Sequence, residues 1–208
     1  MESRATQIHA KRNGKVIISA IPGHFATQHS HVNYCIDMTK VKSQMSMAKA
    51  AAQLIAETFI NTPVDTIITL ERTKMVGAFL ANALSNAGIN VNHDMNVISP
   101  EVTNDMLVLR DNLAPYVWGK RVLILSATAT TGLTAKSAVA GIRYYGGEPV
   151  GVACVFGGEF EIEGVPVVNL INVDDVPAYA SYSPNLCPLC KAGKKIDALI
   201  NSYGYSKI

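Results

Sequence analysis

The sequence predicts an α/β protein with a three-layer α/β/α arrangement around an open, mostly parallel sheet, and three observations support this. Short apolar runs alternate with longer stretches whose apolar residues recur at helical spacing. The runs are continuously apolar, the pattern of strands covered on both faces, as crossover helices cover a parallel sheet. Turn signals separate the two kinds of segment at intervals that suit right-handed βαβ units.

The elements follow in order. Met45, Ala48, Ala52, Ile55 and Phe59 recur at helical spacing in an alanine-rich stretch, so a helix is expected over 41–60, ended by Asn61-Thr62-Pro63. Its alanines suit core and dimer packing. Residues 64–70 then read as a strand. Val76, Phe79, Leu80, Ala83, Leu84 and Ala87 give a second amphipathic helix closed by Gly88, with a short strand near 96–99. Residues 101–118 hold Pro115, follow directly on Pro100 and show no clean period, so a long excursion is expected, carrying one short strand at 106–109. Residues 122–125 are the next strand. Ala135, Ala138, Val139, Ile142 and Tyr145 mark a third helix stopped by Gly146-Gly147, and residues 150–156 and 165–170 are two further strands.

Composition narrows the class. With 208 residues, 49% of them hydrophobic, the chain is long enough to bury a core in one main domain. Eighteen basic against sixteen acidic residues leave a formal charge of +2, too balanced for a polyanion-coating protein, so nucleic acid is not expected as the principal partner. Lys191, Lys194 and Lys195 form only a small basic patch. No apolar run approaches the ~20 residues needed to span a bilayer, and the first residues carry no secretory pattern, so no membrane partner and a cytoplasmic location are expected. Four cysteines suit a reducing compartment.

The chemistry concentrates in RVLILSATATTGLT, residues 121–134. An apolar strand runs into a turn of small hydroxyl residues, and Thr130-Thr131-Gly132 fall where the next helix begins. Free N–H groups at a helix N-terminus, a glycine permitting close approach and several threonine hydroxyls together make an anion cradle. Ligands of such sheets gather at the carboxyl ends of the strands. Residues 70–74 and 126–134 both lie at such ends and are expected to face one pocket. Cys187-Pro188-Leu189-Cys190 has zinc-knuckle spacing without a second pair, which leaves zinc shared by two such pairs across a dimer, or a reduced structural turn. Cys154 reads as a buried small hydrophobe.

Residues 121–134 resemble the phosphoribosyl pyrophosphate (PRPP) loop of type I phosphoribosyltransferases, in which an apolar strand leads to two acids, two variable residues, Thr-Thr or Thr-Ala, and Gly. Gly23-His24-Phe25, His29-Ser30, Tyr34 and Asp37 are similar to the N-terminal signature of the orotate phosphoribosyltransferases, and Cys187-Pro188-Leu189-Cys190 to the tail of one branch. The likeness covers most of the chain in the same order. It implies a flavodoxin-like core over about 41–177, a small hood from about 1–40 and 178–208, and a homodimer. It also implies a reaction in which the ribose 5-phosphate of PRPP passes to a nucleobase, orotate first, with magnesium present and pyrophosphate released.

The resemblance assigns Thr128, Ala129, Thr130, Thr131, Gly132, Leu133 and Thr134 to the 5-phosphate, with backbone N–H groups and threonine hydroxyls as ligands. It assigns Glu71, Arg72, Thr73 and Lys74 to the pyrophosphate, where the two cations would neutralise a diphosphate and Glu71 would oppose them. His24, His29 and His31 fall in the hood loop. The chain also departs from the pattern. Ser126 and Ala127 replace the acids, residues 99–109 contain neither the lysine nor the histidine of the family's mobile loop, leaving Arg110 and Lys120 as the nearest cations, and Gly158 stands where an arginine meets orotate. A hydrogen bond to a charged group is worth roughly 1.5–3 kcal/mol, so losing two slows turnover by roughly 10² to 10⁴ fold without abolishing binding. Two readings follow: a transferase of the orotate phosphoribosyltransferase-like type, or a non-catalytic PRPP- or nucleotide-binding regulator on the same fold.

Overall fold

The computed structural model describes residues 2–208. Three strands open the chain: β1 (Thr6–Ala10), β2 (Asn13–Ala26) and β3 (His31–Asp37). Two helices follow, α1 (Thr39–Ser43) and α2 (Met45–Phe59). The central part runs β4 (Thr66–Thr69), α3 (Lys74–Ser85), β5 (Asn96–Ile98), β6 (Glu101–Thr103), β7 (Met106–Val108), β8 (Arg121–Ala129), α4 (Leu133–Tyr144), β9 (Glu148–Gly157), β10 (Glu161–Ile162) and β11 (Val165–Asn172). The chain closes with β12 (Ser181–Tyr182), α5 (Pro188–Lys191), β13 (Ala198–Asn201) and β14 (Gly204–Lys207).

The central sheet has the order β10-β11-β9-β8-β4-β5 and is parallel except for the two-residue edge strand β10. All four residues of β4 and residues 122–127 of β8 are buried, which accounts for the apolar runs Ile67-Ile68 and 122–125. Helices α2 and α3 cover one face, together with Val16, Ile18 and Ala20 of β2. Helix α4 covers the other through Ala135, Ala138, Val139 and Ile142. At about 1.5–3 kcal/mol for each fully buried Leu or Ile side chain, these two clusters hold the layers together. Among the described residues no helix is long and apolar enough to cross a membrane.

The expected hood is a second sheet of six strands, in which β2 pairs with β1, β3 and β13, β12 lies beyond β3, and β14 beyond β13. Strand β2 belongs to both parts of the molecule. Its first half points Val16, Ile18 and Ala20 at α2, and its second half sends Ile21 and Phe25 into a separate cluster under the hood. The change follows a register shift between Pro22 and Phe25, where a proline without an N–H interrupts the ladder.

Two expectations need correction. The helix expected over 41–60 is broken at Gln44, whose extended backbone (ψ 118°) separates α1 from α2 and turns Lys42 toward the central cleft. The alanines of α2 pack as core, with α2 wedged between the central sheet and β2 of the same chain. The excursion over 101–118 holds two strands, β6 and β7, joined by Asn104-Asp105 with φ 49° and 61°, the left-handed pair of a two-residue hairpin turn. Strand β6 has three exposed residues and leaves no apolar trace in the sequence.

Candidate functional site

Chain order and strand order part company between β4 and β8. From β4 the chain moves to β5 at one edge, then returns to place β8 on the other side of β4 and continues to β9 and β11. The loops leaving such a pair of strands diverge, and a crevice opens at their carboxyl ends. Here a cleft of about 390 Å³ lies there, roofed by the hood turn at 27–30 and by Asp105 of the β6–β7 hairpin. His29 Nε2 and Asp105 Oδ1 lie 3.1 Å apart, so the two parts of the roof touch.

The two loops meet through Glu71. Glu71 and Arg72 both hold positive φ, 50° and 68°, a conformation that costs a non-glycine residue about 1–2 kcal/mol. The turn carries the Glu71 carboxylate across to β8. Ser126 Oγ donates to it at 2.7 Å, the Thr128 N–H at 2.8 Å, and Thr128 Oγ1 at 3.0 and 3.1 Å to its two oxygens. A carboxylate therefore stands beside the strand position where the sequence has Ser126 in place of an acid.

The loop after β8 is shorter than its sequence implied. Ser126, Ala127, Thr128 and Ala129 are still strand, and the N–H and hydroxyl of Thr128 are taken by Glu71. Thr128 lines the cleft from the strand, and Thr130, Thr131, Gly132, Leu133 and Thr134 form the turn and helix start beyond it. Gly132 is the N-cap of α4 with φ 67°, and no side chain caps the helix, so its first N–H groups are free to meet an anion. Thr130, Thr131, Leu133 and Thr134 line the cleft.

Of the four residues expected to hold a diphosphate, only Glu71 lines the cleft. Arg72 lies 4.4 Å over the Tyr203 ring, Thr73 Oγ1 donates to the Leu70 and Leu125 carbonyls, and Lys74 begins α3. Neither Arg110 nor Lys120 lines the cleft, and Arg110 is engaged bidentately by Glu101. The ammonium that does line it is Lys42, a residue not singled out from sequence. Its Nζ donates to the Ser202 carbonyl at 2.7 Å, and burial pushes its pKa below the usual lysine range, against the raising effect of Glu71. Gly158 faces Val173, whose Cγ2 would lie 2.9 Å from an added Cβ, so this position does not offer a side chain to the cleft.

The opposite wall is aromatic. Phe156 and Tyr179 pack edge to face with centroids 5.2 Å apart. Burial pushes the Tyr179 phenol up to about 12, partly offset by a hydrogen bond from Thr130, so it stays protonated at neutral pH.

At the far end of the hood, Cys187 and Cys190 do not wait for a second pair from another chain. They meet His24 and His31, and one ligand atom from each of the four lies within 4.8 Å of the others. From sequence the histidines are expected in a hood loop, and 163 residues separate His24 from Cys187. His29 points the other way, to Asp105.

No protein-family model matches the chain. An orotate phosphoribosyltransferase of Chlorobium phaeobacteroides is 26% identical over 183 residues, covering 86% of this chain and 87% of that one. That of Methylorubrum populi is 41% identical over 73 residues, a match spanning only 34% of this chain and 35% of the relative. Among solved structures, the Mycobacterium tuberculosis orotate phosphoribosyltransferase in complex with Fe(III) dicitrate superposes with a TM-score of 0.51 at 20% identity, covering 77% of this chain and 93% of that one. A Trypanosoma brucei adenine phosphoribosyltransferase gives a TM-score of 0.55 at 14% identity, with 82% and 87% covered. The fold is that of the type I phosphoribosyltransferases. In sequence the chain is similar to orotate phosphoribosyltransferases over most of its length at 26% identity. Lys42 and Tyr179 are cleft residues that the sequence does not mark. The one signal pointing to Glu71 was its position directly after a strand beside the switch point.

Proposed function

We propose that the cleft binds PRPP together with magnesium, and that the chain transfers the ribose 5-phosphate to a nucleobase with release of pyrophosphate. Orotate is the first base to try. The observation that carries this reading is the Glu71 carboxylate on Ser126 and Thr128. As the bond from ribose C1 to the diphosphate breaks, positive charge builds at C1, and a fixed carboxylate beside the ribose stabilises it. Residues 130–134 would receive the 5-phosphate on backbone N–H groups and threonine hydroxyls. Phe156 and Tyr179 offer an apolar wall for a planar base.

The charges lining the cleft favour a metal-bound diphosphate over a bare one. Asp37, Glu71 and Asp105 face it against the single ammonium of Lys42. An oxygen-only donor set of carboxylates and hydroxyls suits a hard cation, which would rest chiefly on diphosphate oxygens and water with Asp37 and Glu71 as the nearby carboxylates. Magnesium so bound supplies neutralisation of the departing diphosphate. A homodimer belongs to the same reading, and sedimentation at several concentrations checks it.

A second reading, a PRPP- or nucleotide-binding member without turnover, is favoured by the absence of an arginine at Gly158 and of a lysine or histidine over 99–109. Calorimetry with PRPP and magnesium, and mass spectrometry of products with orotate added, separate the two. A transferase makes orotidine monophosphate, and Glu71→Gln lowers its kcat by about 10² fold or more while PRPP affinity changes less than about tenfold. A binder takes up PRPP and makes no product. A natural protein that neither binds PRPP nor makes product overturns both.

A further inference from the structure

We propose that His24, His31, Cys187 and Cys190 form an intramolecular tetrahedral zinc site that fastens the hood. Zinc bonds of about 2.0–2.1 Å to nitrogen and 2.3 Å to sulfur place neighbouring N and S ligands of a tetrahedron about 3.5 Å apart, and two nitrogens about 3.3 Å apart. His24 Nε2 lies 3.5 Å from Cys187 Sγ and 3.6 Å from Cys190 Sγ. His31 Nδ1 lies 3.2 Å from Cys190 Sγ and 3.1 Å from His24 Nε2. These four of the six edges match a zinc tetrahedron within a few tenths of an ångström, and the other two, from Cys187 Sγ to Cys190 Sγ and to His31 Nδ1, lie within 4.8 Å.

The chemistry around them agrees. Two thiolates and two neutral imidazoles balance a divalent ion, so the completed site carries no net charge where His24 is fully buried and Cys187 is 1% exposed. The Nδ1–H of His24 faces the Lys194 carbonyl at 2.8 Å, which fixes the tautomer that leaves Nε2 free to bind metal, the usual outer partner of a metal-bound histidine. The backbone of His24 is held as well. Its N–H donates to Asp197 Oδ2 at 2.8 Å and its carbonyl accepts from the Asp197 N–H at 2.7 Å. Cys187 and Cys190 flank a single turn with Pro188 at its start, and that turn brings both sulfurs to one side.

The position gives the site a purpose. His24 lies near the end of β2 and His31 begins β3, and Thr27, Gln28, His29 and Ser30 between them line the cleft. Zinc at the base would hold the hairpin whose tip roofs the candidate PRPP site. The metal is structural: all four positions are filled by protein, leaving none for a substrate.

The test uses the full chain purified under reductant. Elemental analysis should give one zinc per chain, unchanged on dilution. X-ray absorption at the zinc edge should show two sulfur and two nitrogen neighbours. Because changes to outer partners alone cost about 10–100 fold in affinity, Cys190→Ser and His31→Ala should each weaken zinc binding by at least that factor. His29→Ala, in the same turn, should retain one ion per chain. Cobalt substitution should give the visible bands of a tetrahedral ion with thiolate ligands. Failure of the reduced natural protein to hold zinc, a four-sulfur shell, or half an ion per chain would overturn the proposal, and none of these readouts depends on PRPP or turnover.

Discussion

The most informative residue is Glu71, because the backbone strains to place it. Its neighbour Arg72 shares the left-handed conformation without sharing the carboxylate's partners, and its stacking on Tyr203 is a partial return. Relief of about 1–2 kcal/mol in Arg72→Gly should exceed the loss of an exposed cation–π contact worth about 0.5–1 kcal/mol. Urea unfolding of Arg72→Gly should therefore show stability equal to or up to about 1 kcal/mol above that of the natural protein. A loss of 2 kcal/mol would mean that the stacking holds the turn. The strain and the carboxylate's partners were not legible in the sequence, where Glu71 looked like an obstacle to a diphosphate. Its partners Ser126 and Thr128 lie 55 and 57 residues away, and only the β4–β8 pairing brings them together.

At the scale of elements, the parallel strands and covering helices of the central sheet were readable because they are buried on regular faces, whereas the two-residue edge strand β10, half exposed, was not. Strand β2 was not, since its two halves point at different clusters and Pro22-Gly23 breaks the alternation between them. Two contacts between elements give predictions. Asp65, just before β4, receives the N–H, Nε and Nη2 of Arg121 at the head of β8, and Arg121 holds its carboxyl well below the usual carboxylate range. A depressed folded-state pKa stabilises above the unfolded value of about 3.9 and is lost as pH falls toward the folded one. The melting temperature should fall below about pH 4, and Asp65→Asn should flatten that fall while costing about 1–2 kcal/mol at pH 7, a figure reduced for the 42% exposure of the Arg121 side chain. The second contact lies between β7 and α4, where an added Cβ at Gly141 would stand 2.8 Å from Leu107 Cβ. Gly141→Val should lift the β6–β7 hairpin, seen as faster amide exchange over 101–108 with the protection of β8 and β9 retained.

For the whole molecule, the parallel core was legible and the way its ends are gathered was not. Composition and periodicity report what a segment does alone. The second sheet depends on strands from opposite ends of the chain, and its Cys and His groups acquire meaning only when those ends meet. The parallel pairing of β2 with β13 sets Phe25 against Ala198. During synthesis that edge of β2 remains open until the whole central sheet has been made, and an open strand edge is a template for foreign strands. A chain interrupted before residue 198 would carry a finished central sheet beside an unpaired hydrophobic edge. Such fragments should aggregate by edge pairing while retaining central-sheet structure, so the final hairpin acts as the molecule's own guard against misassembly.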